Sequence, residues 1–313
     1  STAVGASLGP DSGHRRAALL AGGGIGLFVL GLLAGWVAGR PSPVAVSVAL
    51  PAHWLQGLNG SGAVVWTHQF DRDISHPASR VPGPMLVDVD GDRVAEWLVP
   101  VRFSLAGTSS GVSDAIFLFD RDGSVRWSVQ PAQRLTYPNR ATSAPWRMTD
   151  FAVSPAAPRR IWASFAHHTG ASSFILEIDP AGSSRVRYFQ YGTIHSVAHW
   201  ATPAGSFLAA GGLSVEHARP SLALMPDPGP PASMPAEDPR RASCLECPED
   251  RPARLLLFPH SELTTAAHEP YAHVLDLENV GPELEVRTLQ GNGDALFVVA
   301  PDFSVESWQM MHT

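Results

Sequence analysis

Four acids within nine residues are the first candidates for chemistry. Asp88, Asp90, Asp92 and Glu96 offer carboxylate oxygens in the stretch LVDVDGDRVAE. Hard oxygen donors at alternate positions suit Ca²⁺, provided that the chain curls around the ion. Arg93 stands where a second glycine would ease that curl, and it brings a positive charge of its own. The same residues read equally well as a tight turn whose aspartates accept hydrogen bonds from nearby backbone N–H groups. Ca²⁺ is the one cofactor that the residue types suggest.

Cys244 and Cys247, in CLEC, are the two cysteines of the chain. A zinc site needs further soft ligands at defined spacing. A haem attachment needs His after the second Cys, and Pro248 is there instead. A redox pair would open a helix after a strand, whereas this pair sits among prolines. In an oxidising compartment a local disulfide is the simplest expectation. There are 13 histidines. His195 and His199 would suit a helical metal pair, but TIHSVAHWAT reads as strand, where they stand roughly 13 Å apart. His167 and His168 would point to opposite faces of a strand. HExxH, GxSxG, a Walker loop and GxGxxG before a helix are all missing, and with no lysine in the chain Schiff-base chemistry is excluded. No catalytic residue is assigned, and the chain reads as a non-enzyme.

The elements that must position these residues read as strands. Hydrophobic residues make up 44% and charged ones 16%, as in a packed fold, and 28 Pro and 28 Gly make a turn-rich chain. Short apolar runs bounded by Gly, Pro, Asp and Asn recur after residue 39, without an amphipathic helix. The net charge of −7 lacks any basic stripe, which argues against nucleic acid. Four segments share one hairpin pattern: LNGSGAVVWTHQF, FDRDGSVRWSVQ, IDPAGSSRVRYFQ and APDFSVESWQM. They place Trp66, Trp127, Tyr188 and Trp308 at equivalent positions, separated by 61, 61 and 120 residues. A missing member is expected near residue 248, with RLLLFPHSEL (254–263) as its displaced remnant. Further strand pairs lie between the hairpins, and four strands per repeat is a propeller blade.

The expectation is therefore an all-β, β-propeller-like domain of about four to five blades over residues 54–313. The leading hairpin, 44–70, would either close the last blade or form half of a fifth, and an incomplete ring stays open as a reading. A β-sandwich with similar Asp-Gly turns is the rival. LVDVDGDRVAEWLVPV resembles the FG-GAP/VCBS repeat of integrin-type propellers, with Asp88, Asp90, Gly91, Asp92 and Glu96 on its pattern and Arg93 departing from it. FDRDGSVRWSV resembles the outer hairpin of quinoprotein-type propellers. The resemblance implies a protein-binding domain in which some repeats hold Ca²⁺.

Ahead of this domain, residues 17–39 form 23 consecutive residues without a charge. As a helix they would span roughly 34 Å, enough for a hydrocarbon core of about 30 Å. That is longer than a signal-peptide core. Gly22 and Gly26, and Gly31, Gly35 and Gly39, recur at spacing four, which lets a partner helix approach closely. Arg15 and Arg16 before the helix against Arg40 after it put the tail 1–16 in the cytoplasm and the domain outside. An arginine-only basic complement suggests a bacterium, hence a periplasmic domain on the inner membrane. Residues 40–53 read as a linker. Residues 226–252 read as a Pro-rich insertion, eight prolines in 27 residues, ready to lie across a partner.

Three functions follow as expectations. The first is a non-catalytic accessory or scaffold subunit of a larger membrane complex, photosynthetic or respiratory, that contacts integral membrane subunits through its helix and other proteins through the propeller. The second is a periplasmic propeller that binds a ligand or Ca²⁺, as a sensor or enzyme. The third is an assembly factor for envelope proteins.

Overall fold

The computed structural model describes residues 44–311 apart from 51–53, 76–80, 106–110, 138–139, 169–171, 236–243, 245, 262–263, 265–271 and 292. The expected tail, the membrane helix and its glycines Gly22, Gly26, Gly31, Gly35 and Gly39 lie outside the described residues. Among those described, no helix is long and apolar enough to cross a membrane, and the strands make up an all-β fold.

Antiparallel meanders follow one another along the chain. The first blade is β1 (Ser47–Ala49), β2 (Trp54–Leu58) and β3 (Val64–Gln69). Its first strand falls inside the stretch expected to be a linker. The second holds β4 (Ile74–Ser75), β5 (Met85–Val87), β6 (Glu96–Phe103), β7 (Ala115–Phe119) and β8 (Val125–Val129), with β4 and β5 both paired to β6. A small hairpin, β9 (Leu135–Tyr137) with β10 (Arg140–Thr142), leads to β11 (Trp146–Val153), β12 (Ile161–His167) and β13 (Ser172–Ile178).

The next strand, β14 (Ser184–Thr202), serves two blades. Its first part pairs with β13 as far as Tyr191 and completes the third blade, and from Gly192 onward it pairs with β15 (Gly205–Ser214) and begins the fourth. Gly192 is required at this junction, because a Cβ there would stand 1.8 Å from the Leu213 carbonyl oxygen. The fourth blade continues through β16 (Arg219–Pro226) to β18 (Arg254–Leu257), while β17 (Ala232–Ser233) turns back to pair in parallel with β14. The fifth blade is β19 (His273–Val280), β20 (Glu283–Gln290), β21 (Gly293–Val299) and β22 (Val305–Met311).

Packing explains the sequence pattern. Middle strands such as β13, SSFILEI, are buried throughout, because each lies between two neighbouring sheets. They need apolar residues on both faces and show no alternation. The last strand of the fifth blade, β22, VESWQMM, faces water, with five residues exposed. Four core clusters join successive blades. Leu55, Phe70, Trp97 and Phe119 join the first to the second. Leu118, Trp146, Phe165 and Phe174 join the second to the third. Trp162, Tyr188, Leu208 and Met225 join the third to the fourth, and Trp200, Leu224, Val274 and Phe297 join the fourth to the fifth. Among the described residues no core cluster joins the fifth blade to the first. The described residues thus form five successive blades of a propeller-like fold.

Trp66 and Trp127 fall on last strands at matching register, opposite the residue two before the turn, whereas Trp308 and Tyr188 pair three and four residues before it, so the four aromatics are not all equivalent, because bulges shift the register; β18 supplies the strand of the displaced repeat. The Pro-rich insertion is docked on its own chain where it is described. Ser233 N donates to Asp250 O at 2.8 Å, Met234 N to Phe189 O at 2.9 Å, and Thr136 N to Glu246 Oε2 at 2.8 Å. The Arg187 guanidinium, wholly buried, faces Glu177 at 3.4 Å and donates to the carbonyls of Pro226 and Pro230. Arg160 meets Asp227 at 2.7 Å. Together these groups fasten the start of the insertion.

Candidate functional site: the acid turn, the axial pocket and the blade ends

The loop between β5 and β6 gathers three of the four sequence-predicted acids. Oxygens of Asp88, Asp90 and Glu96 lie within 4.8 Å of one another, and Asp92 stands outside the group. Most of these oxygens have a partner in the chain itself. Asp88 accepts from Gly91 N at 2.7 Å and Arg93 N at 3.1 Å. Asp90 accepts from Asp92 N, Asp92 from Val94 N, and Glu96 from Val89 N at 2.9 Å. Arg93 adopts the left-handed backbone, φ 72°, that a glycine would take freely.

Arg126, on β8, is the cation of the cluster. It reaches Asp90 at 2.7 Å, Asp120 at 2.5 Å and Glu96 at 3.2 Å. Burial pushes the Glu96 carboxyl up from its ordinary value, against the pull of the Val89 N–H and the Arg126 charge. The Asp92 N–H, with Arg126 behind it, holds Asp90 down. The donor set suits a cation, and a guanidinium fills that place. A calcium ion here would have to displace Arg126. The sequence could not signal this, since Arg126 lies 36 residues from Asp90.

A second site was not legible as a motif. The first strands of the third, fourth and fifth blades each carry a register irregularity, at Met148/Asp150, Ile194/Ser196 and Val274/Asp276. A bulge re-aims the side chains around it. Asp150, His195, Ser196, Leu275 and Asp276 all line one axial cavity of about 580 Å³. Arg287 and Asp294 close another side of it, with Nε donating to Oδ2 at 2.8 Å. The His195 and His273 rings stand 4.3 Å apart beside them. Asp150 accepts from Val197 N and Phe151 N, both at 2.8 Å. Burial nonetheless pushes its carboxyl up to about 7, with Asp276 adding repulsion. The pocket therefore holds a carboxyl that titrates near neutrality between three blades.

The remaining sequence candidates are placed apart. His199 does not join His195 in a metal pair. It stacks on Trp162 at 5.8 Å and faces Asp227 at 3.6 Å, and burial lowers its pKa. The rings of His167 and His168 are 4.9 Å apart, at the end of β12. The sulfurs of Cys244 and Cys247 are bonded to each other, and both residues pack against the core between the second and third blades.

The blade ends are the third feature. Among the described residues, large exposed apolar side chains occur on the first, second and fifth blades, including Trp54, Val64, Val305 and Trp308, and on neither the third nor the fourth. Trp308 is 61% exposed.

No family model matches the chain, and no curated protein does. Solved structures of β-propeller-like proteins are similar to it at low identity. One is BBS1N in complex with ARL6DN, with 10% identity over 83% of this chain and 72% of that one, at a TM-score of 0.38. Another is a mutant of Synechocystis apocarotenoid oxygenase, with 9% identity over 85% of this chain and 72% of that one, at a TM-score of 0.31. These scores carry no argument about role. The propeller-like reading rests on the strand pairing above.

Proposed function

We propose that this chain is a non-catalytic accessory subunit. Residues 17–39 anchor it in a bacterial inner membrane, and the propeller-like domain binds and stabilises other proteins of a larger membrane complex on the periplasmic side. One observation carries the reading. Among the described residues, the exposed large apolar side chains belong to the first, second and fifth blades, while the third and fourth have none. An exposed Trp such as Trp308 is a frequent anchor of contacts with another protein. The glycine-lined helix, with Gly31, Gly35 and Gly39, would supply a second contact inside the bilayer. A photo-crosslinking residue at position 308, introduced into the chain in its native membrane, tests this. Adducts with other membrane-complex subunits are expected; the absence of any protein adduct would contradict it.

A second reading is favoured by the axial pocket alone. Asp150, Asp276 and the Arg287–Asp294 pair make a net-acidic cavity, suited to a small cationic ligand or a divalent ion. Calorimetric titration of Ca²⁺ and of small amines into wild type and D276N tests it, with saturable binding lost in the variant as the supporting result.

A further inference from the structure

Three first strands line two cavities, one after the other along their length. The strands are β11, the second part of β14, and β19, and β14 touches both of the others. Asp150, His195 and Asp276 open into the acidic cavity of about 580 Å³. A second cavity, of about 420 Å³, is lined by Val153 and Pro155, by Ala198 and Ala201, and by Asn279 and Gly281. Val153, Ala198 and Asn279 each stand three residues after Asp150, His195 and Asp276. At the rise of a strand the two cavities are therefore roughly 10 Å apart on all three strands.

The cavities differ in kind. The first sets Asp150, Asp276 and Asp294 against Arg287. No acid and no arginine lines the second. His199 borders it, but its ring stacks on Trp162, and burial holds it toward the neutral form. The other polar groups there are satisfied within the chain. Asn279 Nδ2 donates to His199 O at 2.8 Å, and Trp200 Nε1 donates to Pro282 O at 3.0 Å. The surface left toward the second cavity is mainly hydrocarbon.

A metal ion suits the acidic cavity poorly. Among the described residues, one group of three His, Cys, Asp or Glu donors lies within 4.8 Å of one another, and it is Asp88, Asp90 and Glu96. None of these lines the cavity. An ammonium asks for less, because it needs only acceptors for its three N–H groups. Asp150 is aimed by Phe151 N and Val197 N, one on each carboxylate oxygen, and Asp276 by Leu277 N at 2.9 Å. A carboxylate oxygen holding one such bond can accept another.

We infer that the axial site binds an amphiphilic organic cation, with a primary ammonium on Asp150 and Asp276 and an apolar chain laid along β11, β14 and β19 into the second cavity. With a carbon–carbon bond of about 1.5 Å, an extended chain of about eight carbons covers the separation. The inference rests on the ligand-binding reading of the axial pocket and deepens it, by choosing an organic ammonium over a metal ion and by giving its tail a site.

The test is calorimetric titration of methylammonium, butylammonium and octylammonium chlorides into the purified full chain in mild detergent, with detergent alone as the blank. It is run at about pH 8, above the Asp150 pKa of about 7. In wild type each added methylene should tighten binding about fourfold, the transfer value of a buried CH₂. A201Q, at an exposed position of its strand, brings an amide into the apolar cavity. It should weaken octylammonium about tenfold and leave methylammonium unchanged. D276N should abolish saturable binding of all three, with unchanged thermal melts of both variants as the control for folding. Equal affinities for methylammonium and octylammonium in wild type, both lost in D276N, would overturn the inference and leave the cation-binding reading standing. A chain-length gain that persists in A201Q and in D276N would also overturn it, as partition into detergent. No saturable binding of any amine would sink both.

Discussion

Arg126 binds three carboxylates of one blade, and its removal isolates a buried one. Glu96 has a side chain only 1% exposed, so losing its counter-charge should cost about 3 kcal/mol, the scale for breaking a buried ion pair. R126S should melt well below wild type, and millimolar Ca²⁺ should recover part of the loss in R126S alone. Unchanged stability of R126S would show that the acids do not need the guanidinium. The four acids were visible in the sequence because their spacing is local; the cation among them was not, because strand pairing brings it from another hairpin. Asp150 shows the same limit. Its folded carboxyl titrates at about 7 against an ordinary 3.8, so the folded state holds the proton more tightly than the unfolded one. Stability is then fully present below about pH 4 and is lost as pH rises through about 7. Denaturant melts of wild type should decline across that window. D150N should flatten the decline, and D276N should shift it to lower pH by removing a neighbouring charge. A wild-type slope that survives in D150N would assign the effect to other groups.

At the scale of elements, hairpins were legible and junctions were not. The repeated turn and its following aromatic, Trp66, Trp127, Tyr188 or Trp308, mark the outer hairpin of four blades at a spacing that survives an insertion, since Asp-Gly turns and strand-end aromatics are local signals. The sharing of β14 between two sheets, the parallel β17 and the inner-strand irregularities leave no such mark, because they arise from pairing at long range. Two predictions belong here. W127A removes an indole that packs against the core and bonds Pro180 O. It should destabilise the chain by about 3 kcal/mol, while W308A should stay within about 0.5 kcal/mol. Equal losses would mean that Trp308 is already buried. R187A removes the buried guanidinium that holds the carbonyls of Pro226 and Pro230. Limited proteolysis should then cut between residues 226 and 252 at least tenfold faster; an unchanged cleavage pattern would show that β17 and the disulfide segment hold the insertion without it.

Over the whole molecule, successive blades share core, and among the described residues no cluster joins the fifth blade to the first. Among the described residues, the large apolar side chains left in water lie on the first, second and fifth blades, and this is the physical basis for the proposed interaction role. Composition and periodicity reached the fold class and left ring closure open, because closure depends on how the first and last blades meet. The Pro-rich insertion, expected to reach a partner, lies against its own third blade where it is described, which leaves the blade ends as the surfaces for binding. The central claim is that other subunits occupy them. The most direct test is mild extraction from the native membrane, followed by a native gel with mass spectrometry of the band. Co-migration with other subunits at fixed stoichiometry, weakened by G35L in the proposed membrane helix and by W308A in the fifth blade, is the predicted result. Migration as a lone 33.4 kDa chain, or as copies of itself only, would contradict it.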